Sequence, residues 1–117
     1  MKLGEIVEKL GLENLTPELR PGAAAEVLGG FASDLLSDVL ANAPRGGVLV
    51  TIQVHMNVVA VALHAELAAV IFSSGRVPEE KVRQKAVEEG IALYGSRESA
   101  FDVVGRLYAL GLRGPHA

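Results

Sequence analysis

Residues 48–54 read Val-Leu-Val-Thr-Ile-Gln-Val and form the strongest strand candidate in this chain of 117 residues. Side chains alternate between the two faces of a strand, and here both faces are largely apolar. That pattern is typical of a buried parallel strand, because helices cover both sides of a parallel sheet. Three further strands are predicted at residues 26–28, 67–72 and 91–94.

Helical signals separate these strands along the whole chain. Apolar residues recur at helical spacing, first over residues 3–10, and residues that cap or stop helices stand at the ends of each segment. We therefore predict a single α/β domain over residues 1–117, with three layers and a mainly parallel sheet of about four strands flanked by helices. The expected helix starts are Ser33, Asn57, Pro78 and Ser99, and the expected stops are Gly11, Gly90 and Gly111.

Composition excludes several classes of protein. The formal net charge is −3 and aromatic residues make up 4% of the chain, which argues against a nucleic-acid binder. The chain has no cysteine, which excludes disulfide frameworks, zinc–thiolate sites and cysteine nucleophiles. Residues 46–65 are uncharged but contain Thr51, Gln53 and His55, so we predict a buried strand and helix there rather than a membrane span. With no signal-peptide pattern at the N-terminus, we expect a cytoplasmic protein that does not bind membranes.

Polar residues gather at the predicted turns from strand to helix. Ligands of open α/β sheets bind beyond the carboxyl ends of the strands, where those turns meet. Burying Thr51, Gln53 and His55 at the end of the strongest strand costs free energy unless they are hydrogen-bonded. They either satisfy nearby helix termini or line a pocket, in which Gln53 and Asn57 would suit a base edge or an amide. The other turns contribute Gly29, Gly30, Ser33 and Asp34, then residues 73–76, and finally Ser96 and Arg97.

The pair Gly29-Gly30 allows two interpretations. Free N–H groups at a helix start could cradle an anion, whereas a tight turn with ordinary capping needs no ligand. The surrounding residues match neither a dinucleotide-binding fingerprint nor a P-loop. The carboxylate of Asp34 would also repel phosphate, so a ligand group with a hydroxyl or an amine suits this turn better.

Two sets of residues could support metal or hydrolytic chemistry. Asp34 and Asp38 lie at i and i+4 of a predicted helix and could bind a divalent cation with help from Ser37 or His55. Exposed helix acids are the more ordinary explanation, so no metal site is predicted. Ser33, His55 and Asp34 supply the residue types of a catalytic triad, but no nucleophile elbow accompanies them. A small metal-assisted hydrolase is therefore kept as the last alternative.

Two stretches taken together resemble the small stand-alone proteins of the DRTGG-domain family. They are residues 29–39, Gly-Gly-Phe-Ala-Ser-Asp-Leu-Leu-Ser-Asp-Val, and residues 51–57, Thr-Ile-Gln-Val-His-Met-Asn. The similarity extends through Ser74-Gly75-Arg76 and the closing helix. Larger relatives of this domain resemble the middle part of some phosphotransacetylases, and the domain also resembles the non-catalytic N-terminal domain of HPr kinase. Where the family's Asp-Arg-Thr precedes the two glycines, this chain has Glu26-Val27-Leu28, so the roles of that Asp and Arg do not carry over.

The resemblance implies a regulatory domain rather than an enzyme. Relatives sit beside CBS modules, which implies a small ligand similar to an adenine nucleotide. Stand-alone relatives accompany redox and hydrogenase genes, which implies a redox-enzyme partner. No catalytic residue and no cofactor is expected, and a protein-interaction module without a ligand is the first alternative. The residues expected to bind the ligand are Gly29, Gly30, Ser33, Asp34, Asp38, Thr51, Gln53, His55, Asn57, Ser74 and Arg76.

The hydrophobic content predicts self-association. Half of the residues are hydrophobic, and a domain of this size buries only about two-thirds of its unfolded surface. Residues 58–63 and 101–110 are apolar on more than one side, as expected if one face of each helix meets another subunit. We therefore predict a two-fold homodimer.

Overall fold

The computed structural model describes residues 1–19 and 25–115. The strands within these residues form one five-stranded sheet in the order β1-β5-β4-β3-β2. Strands β2 to β5 run parallel, and the short β1 runs antiparallel to β5 at the edge. The predicted α/β fold is confirmed, with one strand more than expected. In chain order the elements are α1 (Leu3–Leu10), β1 (Glu13–Asn14), β2 (Gly29–Ala32), α2 (Leu36–Asn42), β3 (Gly47–Thr51), α3 (Asn57–His64), β4 (Ala69–Phe72), α4 (Glu80–Glu89), β5 (Leu93–Gly95) and α5 (Ala100–Ala109).

Helices cover both faces of the sheet, as the two-sided apolar pattern of β3 predicts. All five residues of β3 are buried. Val48 and Val50 belong to the core beneath α1 and α5, whereas Leu49 belongs to the core beneath α2, α3 and α4. The first core also contains Leu3, Ile6, Ile71 and Val103, and the second contains Val39, Val58, Val70, Phe72 and Val82. The result is the three-layer arrangement expected of a mainly parallel sheet.

The uncharged stretch at residues 46–65 forms β3 and α3. Across residues 1–19 and 25–115, no helix combines the length and the apolar character needed to cross a membrane.

Strand β2 begins three residues later than the sequence predicts, and this moves the two glycines. They open the strand rather than follow it, with Gly29 and Gly30 beside Gly47 and Val48 of β3. The predicted turn at Gly29-Gly30 is therefore wrong. The cause is a long-range contact, because the N–H of Gly30 donates to the carbonyl oxygen of Arg113 at 2.9 Å. A Cβ on Gly29 would lie 3.0 Å from the same oxygen. The lack of a side chain therefore leaves room for the C-terminal segment to pack against the edge of the sheet.

Helix α2 begins at Leu36, later than the N-cap predicted at Ser33. The hydroxyl of Ser33 instead accepts a hydrogen bond from the N–H of Leu35 at 3.2 Å, within the loop that precedes the helix. Asp34 consequently lies outside α2. The predicted placement of Asp34 and Asp38 on one helix face is therefore wrong.

Other predicted helix ends agree with the structure. Gly11 and Gly90 adopt the left-handed conformation expected of helix C-caps. The hydroxyl of Ser99 accepts a hydrogen bond from a backbone N–H in the first turn of α5, as the capping prediction requires. Helix α4 is different, because it begins two residues after Pro78.

Candidate functional site

The carboxyl ends of the parallel strands form one edge of the sheet, where ligands of such folds bind. The polar residues predicted at this edge fall into two groups. The first group follows β2 and β3 and contains residues 33–34 and 51–57. The second group follows β4 and β5 and contains residues 73–76 and 96–98. The two groups differ in how many of their side chains are already engaged by the protein.

In the first group, Asp34 joins the ends of β2 and β3. Its carboxylate oxygen Oδ1 accepts hydrogen bonds from the hydroxyl of Thr51 and from the N–H of Ile52, each at 2.9 Å. Thr51 is 1% exposed, and its hydroxyl also accepts a hydrogen bond from the N–H of Gln53 at 3.0 Å. Asp34 and Thr51 therefore hold the turn that leaves β3.

The same pattern continues through Gln53 and His55 to the start of α3. The side-chain oxygen of Gln53 accepts a hydrogen bond from the N–H of His55 at 3.1 Å. The Nδ1 atom of His55 in turn accepts one from the N–H of Asn57 at 3.0 Å. Each side chain thus satisfies a backbone donor two residues further along, as Asx and ST turns do. These contacts correspond to the interpretation in which the polar set satisfies the backbone at the strand end and the helix start.

The residues considered for metal or triad chemistry are engaged separately. Asp38 accepts a hydrogen bond from the side-chain amide of Asn42 at 2.8 Å, while Asp34 binds the end of β3. Within residues 1–19 and 25–115, no group of three or more histidine or acidic side chains is placed to hold a metal ion. Among the described residues, no hydrogen bond joins the side chains of Ser33, His55 and Asp34 into a triad.

Replacing Asp34 with alanine is expected to lower the free energy of unfolding by about 1–2 kcal/mol, because it leaves the buried hydroxyl of Thr51 and a backbone donor without their acceptor. Asp34→Asn keeps an oxygen at the same position and is expected to lose less. Asp38→Ala is the matched control, since the hydrogen bond that Asp38 accepts comes from the exposed side chain of Asn42. Urea unfolding monitored by circular dichroism measures all three variants. Equal losses for Asp34→Ala and Asp38→Ala would contradict the proposed role of Asp34.

In the second group, a tight turn follows β4 and is fixed to the loop after β5. The carbonyl of Ser73 accepts from the N–H of Arg76 at 3.2 Å, and the two central residues have positive φ angles, +60° at Ser74 and +70° at Gly75. The N–H groups of Ser74 and Gly75 donate to the carbonyls of Glu98 and Ser96 at 2.7 and 2.8 Å. The turn and the β5 loop therefore form one preorganised wall.

This wall borders a pocket of about 450 Å³, which we call the arginine pocket. Arg76 comes from the turn after β4, and Arg97 comes from the loop after β5. Among the described residues, no hydrogen bond or ion pair engages either guanidinium, and both side chains are exposed. The pocket is lined by Leu10, Gly11, Glu13, Leu15, Gly75, Arg76, Val77, Gly95, Ser96, Arg97 and Glu98.

The arginine pocket also contains two acidic residues, but only one of them is neutralised. Glu98 forms an ion pair with Arg106 of α5. Glu13, at the start of β1, is exposed and lies beside Gly95 at the carboxyl end of β5. Among the described lining residues, the charged groups without an ion pair are the two guanidiniums and the carboxylate of Glu13. This arrangement suits an anionic ligand that also offers a hydroxyl or an amine.

The far wall of the arginine pocket is held by Arg83 of α4. Its guanidinium donates to the carbonyl of Leu15 at 3.2 Å and forms ion pairs with Glu18 and Glu80, each at 2.8 Å. The hydrogen bond from Arg83 holds the pKa of Glu80 below its ordinary value. The hydroxyl of Thr16 also accepts from the N–H of Leu93 in β5 at 3.1 Å. These contacts fix the segment after β1 against the sheet.

The structure thus brings together only part of the predicted binding set. Ser74 and Arg76 lie in the turn beside the arginine pocket, whereas Thr51, Gln53 and His55 are engaged in the β3 loop. Gly29 and Gly30 lie at the opposite, amino end of β2. Sequence reasoning placed Ser96 and Arg97 at this edge without including them in the binding set. It missed Glu13 entirely, because an exposed two-residue strand leaves no periodic signal.

Comparison with known proteins identifies a shared fold. No family model matches this chain, and no curated protein matches it. Among solved structures, it is similar to the CBS and DRTGG domains of the regulatory region of Clostridium perfringens pyrophosphatase, determined with the activator diadenosine tetraphosphate. The TM-score is 0.69 at 14% sequence identity, with 96% of this chain and 47% of that chain covered. The chain spans about half the length of that structure, and the likeness supports a DRTGG-related fold.

Proposed function

We propose that this chain is a non-enzymatic regulatory domain that binds a small phosphate-bearing ligand, of the adenine-nucleotide class, in the arginine pocket. The observation that carries the proposal is that the guanidiniums of Arg76 and Arg97, at the carboxyl edge of the sheet, have no hydrogen-bond or ion-pair partner among the described residues. A guanidinium presents its N–H groups in a planar fork that matches two phosphate oxygens. The volume of about 450 Å³ is in the range of small-molecule sites, about 300–1,000 Å³.

The rest of the pocket suits the other parts of such a ligand. The carboxylate of Glu13 can accept a hydrogen bond from a ribose hydroxyl or from an exocyclic amine. Leu10, Leu15 and Val77 supply apolar surface on which a base can lie. Because the turn at Ser74-Gly75 is hydrogen-bonded to the β5 loop, the backbone that carries both arginines is fixed before the ligand binds. Less ordering is then needed when the ligand binds.

A regulatory role is favoured over a catalytic one by the composition of the pocket. Its described lining contains no histidine and no lysine, and the chain contains no cysteine. The hydroxyl of Ser96 already accepts a hydrogen bond from the N–H of Glu98 at 3.1 Å. The similar solved structure comes from the regulatory region of an enzyme and was determined with a dinucleotide activator. The ligand class is transferred from that protein by fold analogy.

The signal would pass from the arginine pocket to the surface through α5. Glu98 belongs to the loop that lines the pocket, and its ion pair with Arg106 connects that loop to the helix. A ligand that moves the loop would therefore also shift the position of α5. As the resemblance implies, the receiver would be a redox enzyme in the cytoplasm. The protein-interaction alternative is favoured by one observation, the 86% exposure of Phe101 on the same helix.

Isothermal titration calorimetry of the whole chain tests the proposal. The ligands are ATP, diadenosine tetraphosphate, inorganic pyrophosphate and adenosine, compared at one salt concentration. We expect the phosphate-bearing ligands to bind and adenosine to bind about tenfold more weakly or worse. Thermal unfolding provides a second readout, because a ligand at about 100 times its Kd stabilises the fold by about 2.7 kcal/mol. Absence of binding by all four ligands would overturn the proposed function, and equal binding of adenosine would overturn the role of phosphate.

A further inference from the structure

Helix α5 carries an apolar surface that the described residues of the chain leave exposed. Phe101, Val104 and Tyr108 are 86%, 37% and 58% exposed. Their spacing of three and four residues places them along one face of the helix. The opposite face is buried in the core, where Val103 is 0% and Leu107 is 4% exposed. We call the exposed residues Phe101, Val104 and Tyr108 the α5 stripe.

An apolar groove of about 170 Å³ lies beside the C-terminal half of the α5 stripe. It runs between α5 and the edge strand β2, and its walls include Phe31, Val50, Val104 and Tyr108. The guanidinium of Arg113 lies 3.6 Å from the centre of the Tyr108 ring, which holds that ring as a firm side wall. The groove is large enough for one aromatic side chain.

Two-fold packing of α5 against a second copy would bring the stripe of one chain to the groove of the other. Phe101 projects from the first turn of α5, and Tyr108 lies about 10 Å further along the helix. If two α5 helices pack antiparallel about Val104 and Gly105, Phe101 of each copy comes opposite Tyr108 of the other, next to the groove. Gly105 faces open space, since a Cβ built there would meet nothing within 4 Å, and its lack of a side chain allows a second helix to approach closely. Such self-complementary patches are the hallmark of two-fold dimers.

Charge on the same helix favours the same arrangement. Asp102 lies in the first turn of α5 and Arg106 in its last turn, and both are exposed. Antiparallel packing brings Asp102 of one copy towards Arg106 of the other, whose guanidinium also pairs with Glu98 of its own chain. Parallel packing would instead align like charges. The helix dipoles are then also antiparallel, which is the favourable orientation.

We propose that a second copy of this chain covers the α5 stripe, with Phe101 of each copy seated in the groove of the other. The inference is independent of the arginine pocket, because neither Phe101 nor the groove lines that site. It assigns the predicted homodimer to α5. It does not use α3, whose Val58, Val59 and Ala62 are buried within the chain.

Multi-angle light scattering and sedimentation equilibrium test the proposal at micromolar concentrations. We expect the natural chain to have twice the monomer mass of 12.3 kDa. Phe101→Glu and Gly105→Arg are expected to raise the dimer Kd by about a hundredfold or more, the usual result of disrupting a central anchor residue. Leu40→Glu is the matched control, because Leu40 is a 53% exposed apolar residue on α2 and should leave the dimer intact.

Circular dichroism and urea unfolding serve to check that each variant is folded. We expect both variants to be folded, because both substituted positions face solvent. A natural chain that stays at the monomer mass would overturn the proposal and leave the stripe to a different partner. A dimer that survives both Phe101→Glu and Gly105→Arg would also overturn it, by placing the interface elsewhere.

Discussion

The double variant Arg76→Ala, Arg97→Ala is expected to lose the binding of phosphate-bearing ligands while keeping its fold. Each guanidinium would form charge-assisted hydrogen bonds to phosphate, so each single substitution is expected to weaken binding about 10- to 100-fold. The double variant should then fall below detection by calorimetry. Its unfolding midpoint should match that of the natural chain, because neither guanidinium has an intramolecular partner among the described residues.

Two further substitutions show whether geometry or charge causes the loss. Arg45→Ala removes an exposed arginine that is paired with Glu66, at the opposite edge of the sheet. It changes the net charge by the same amount as Arg76→Ala or Arg97→Ala alone. We expect it to leave ligand binding unchanged. Arg76→Lys keeps the charge without the planar fork, so intermediate binding is expected. If the double variant bound as tightly as Arg45→Ala, the arginine pocket would not be the ligand site.

Replacing Gly47 with alanine is expected to destabilise the fold strongly. A Cβ at Gly47 would lie 2.8 Å from the carbonyl oxygen of Pro44 and 2.9 Å from its ring, with the carbonyl of Gly29 at 3.2 Å. Two of these neighbours are backbone atoms that cannot rotate away. Overpacking of this kind costs about 3 kcal/mol, which corresponds to a fall in Tm of roughly 10 °C for a domain of this size.

Gly30→Ala is the matched control for Gly47→Ala. Gly30 pairs with Val48, the residue next to Gly47 in β3. A Cβ built on Gly30 would have its nearest neighbours in Val48, at 3.9 Å. We expect its stability to differ from that of the natural chain by less than about 1 kcal/mol, because an alanine loses less entropy than a glycine on folding. Thermal unfolding by differential scanning calorimetry compares the two variants. Similar Tm values for both would contradict the close packing at Gly47.

The parts of the fold that the sequence predicts are those with local causes. The alternating apolar residues of β3 identify a central strand, because the pleat sends neighbouring side chains to opposite layers. Gly11 and Gly90 mark helix ends through a left-handed conformation that glycine adopts without strain. The hydroxyl of Ser99 caps α5 by accepting a hydrogen bond from the N–H of Asp102, only three residues further along the chain. Each of these features depends on a few consecutive residues.

The parts that sequence reasoning placed wrongly depend on distant contacts. Gly29 and Gly30 suggest a turn when taken alone, but they lie in β2 because the C-terminal segment at Arg113 packs directly against them. Strand β1 could not be recognised, since its two residues are exposed and are held by pairing with β5. Neither contact leaves a pattern within a short window of sequence.

For the candidate site, the general rule points to the carboxyl edge of the sheet but does not distinguish between the two halves of that edge. Thr51, Gln53 and His55 were the more prominent polar set, yet their acceptors satisfy backbone N–H groups within the loop. Arg76 and Arg97 are separated by twenty residues of helix and strand, and only the parallel pairing of β4 with β5 brings their loops together. A polar residue that already caps the backbone and one that is free for a ligand have the same appearance in sequence.

The most direct measurement is an NMR titration of the ¹⁵N-labelled chain with ATP, followed through the backbone amide shifts. If the arginine pocket holds the phosphates, the largest shifts will fall on residues 74–76 and 96–98, with smaller shifts near Glu13. Inorganic pyrophosphate should shift the same two loops and leave Leu10 and Leu15, the apolar wall, less affected. Largest shifts at residues 53–57, or no shift at residues 74–76 and 96–98 at saturating ATP, would contradict a ligand site formed by Arg76 and Arg97.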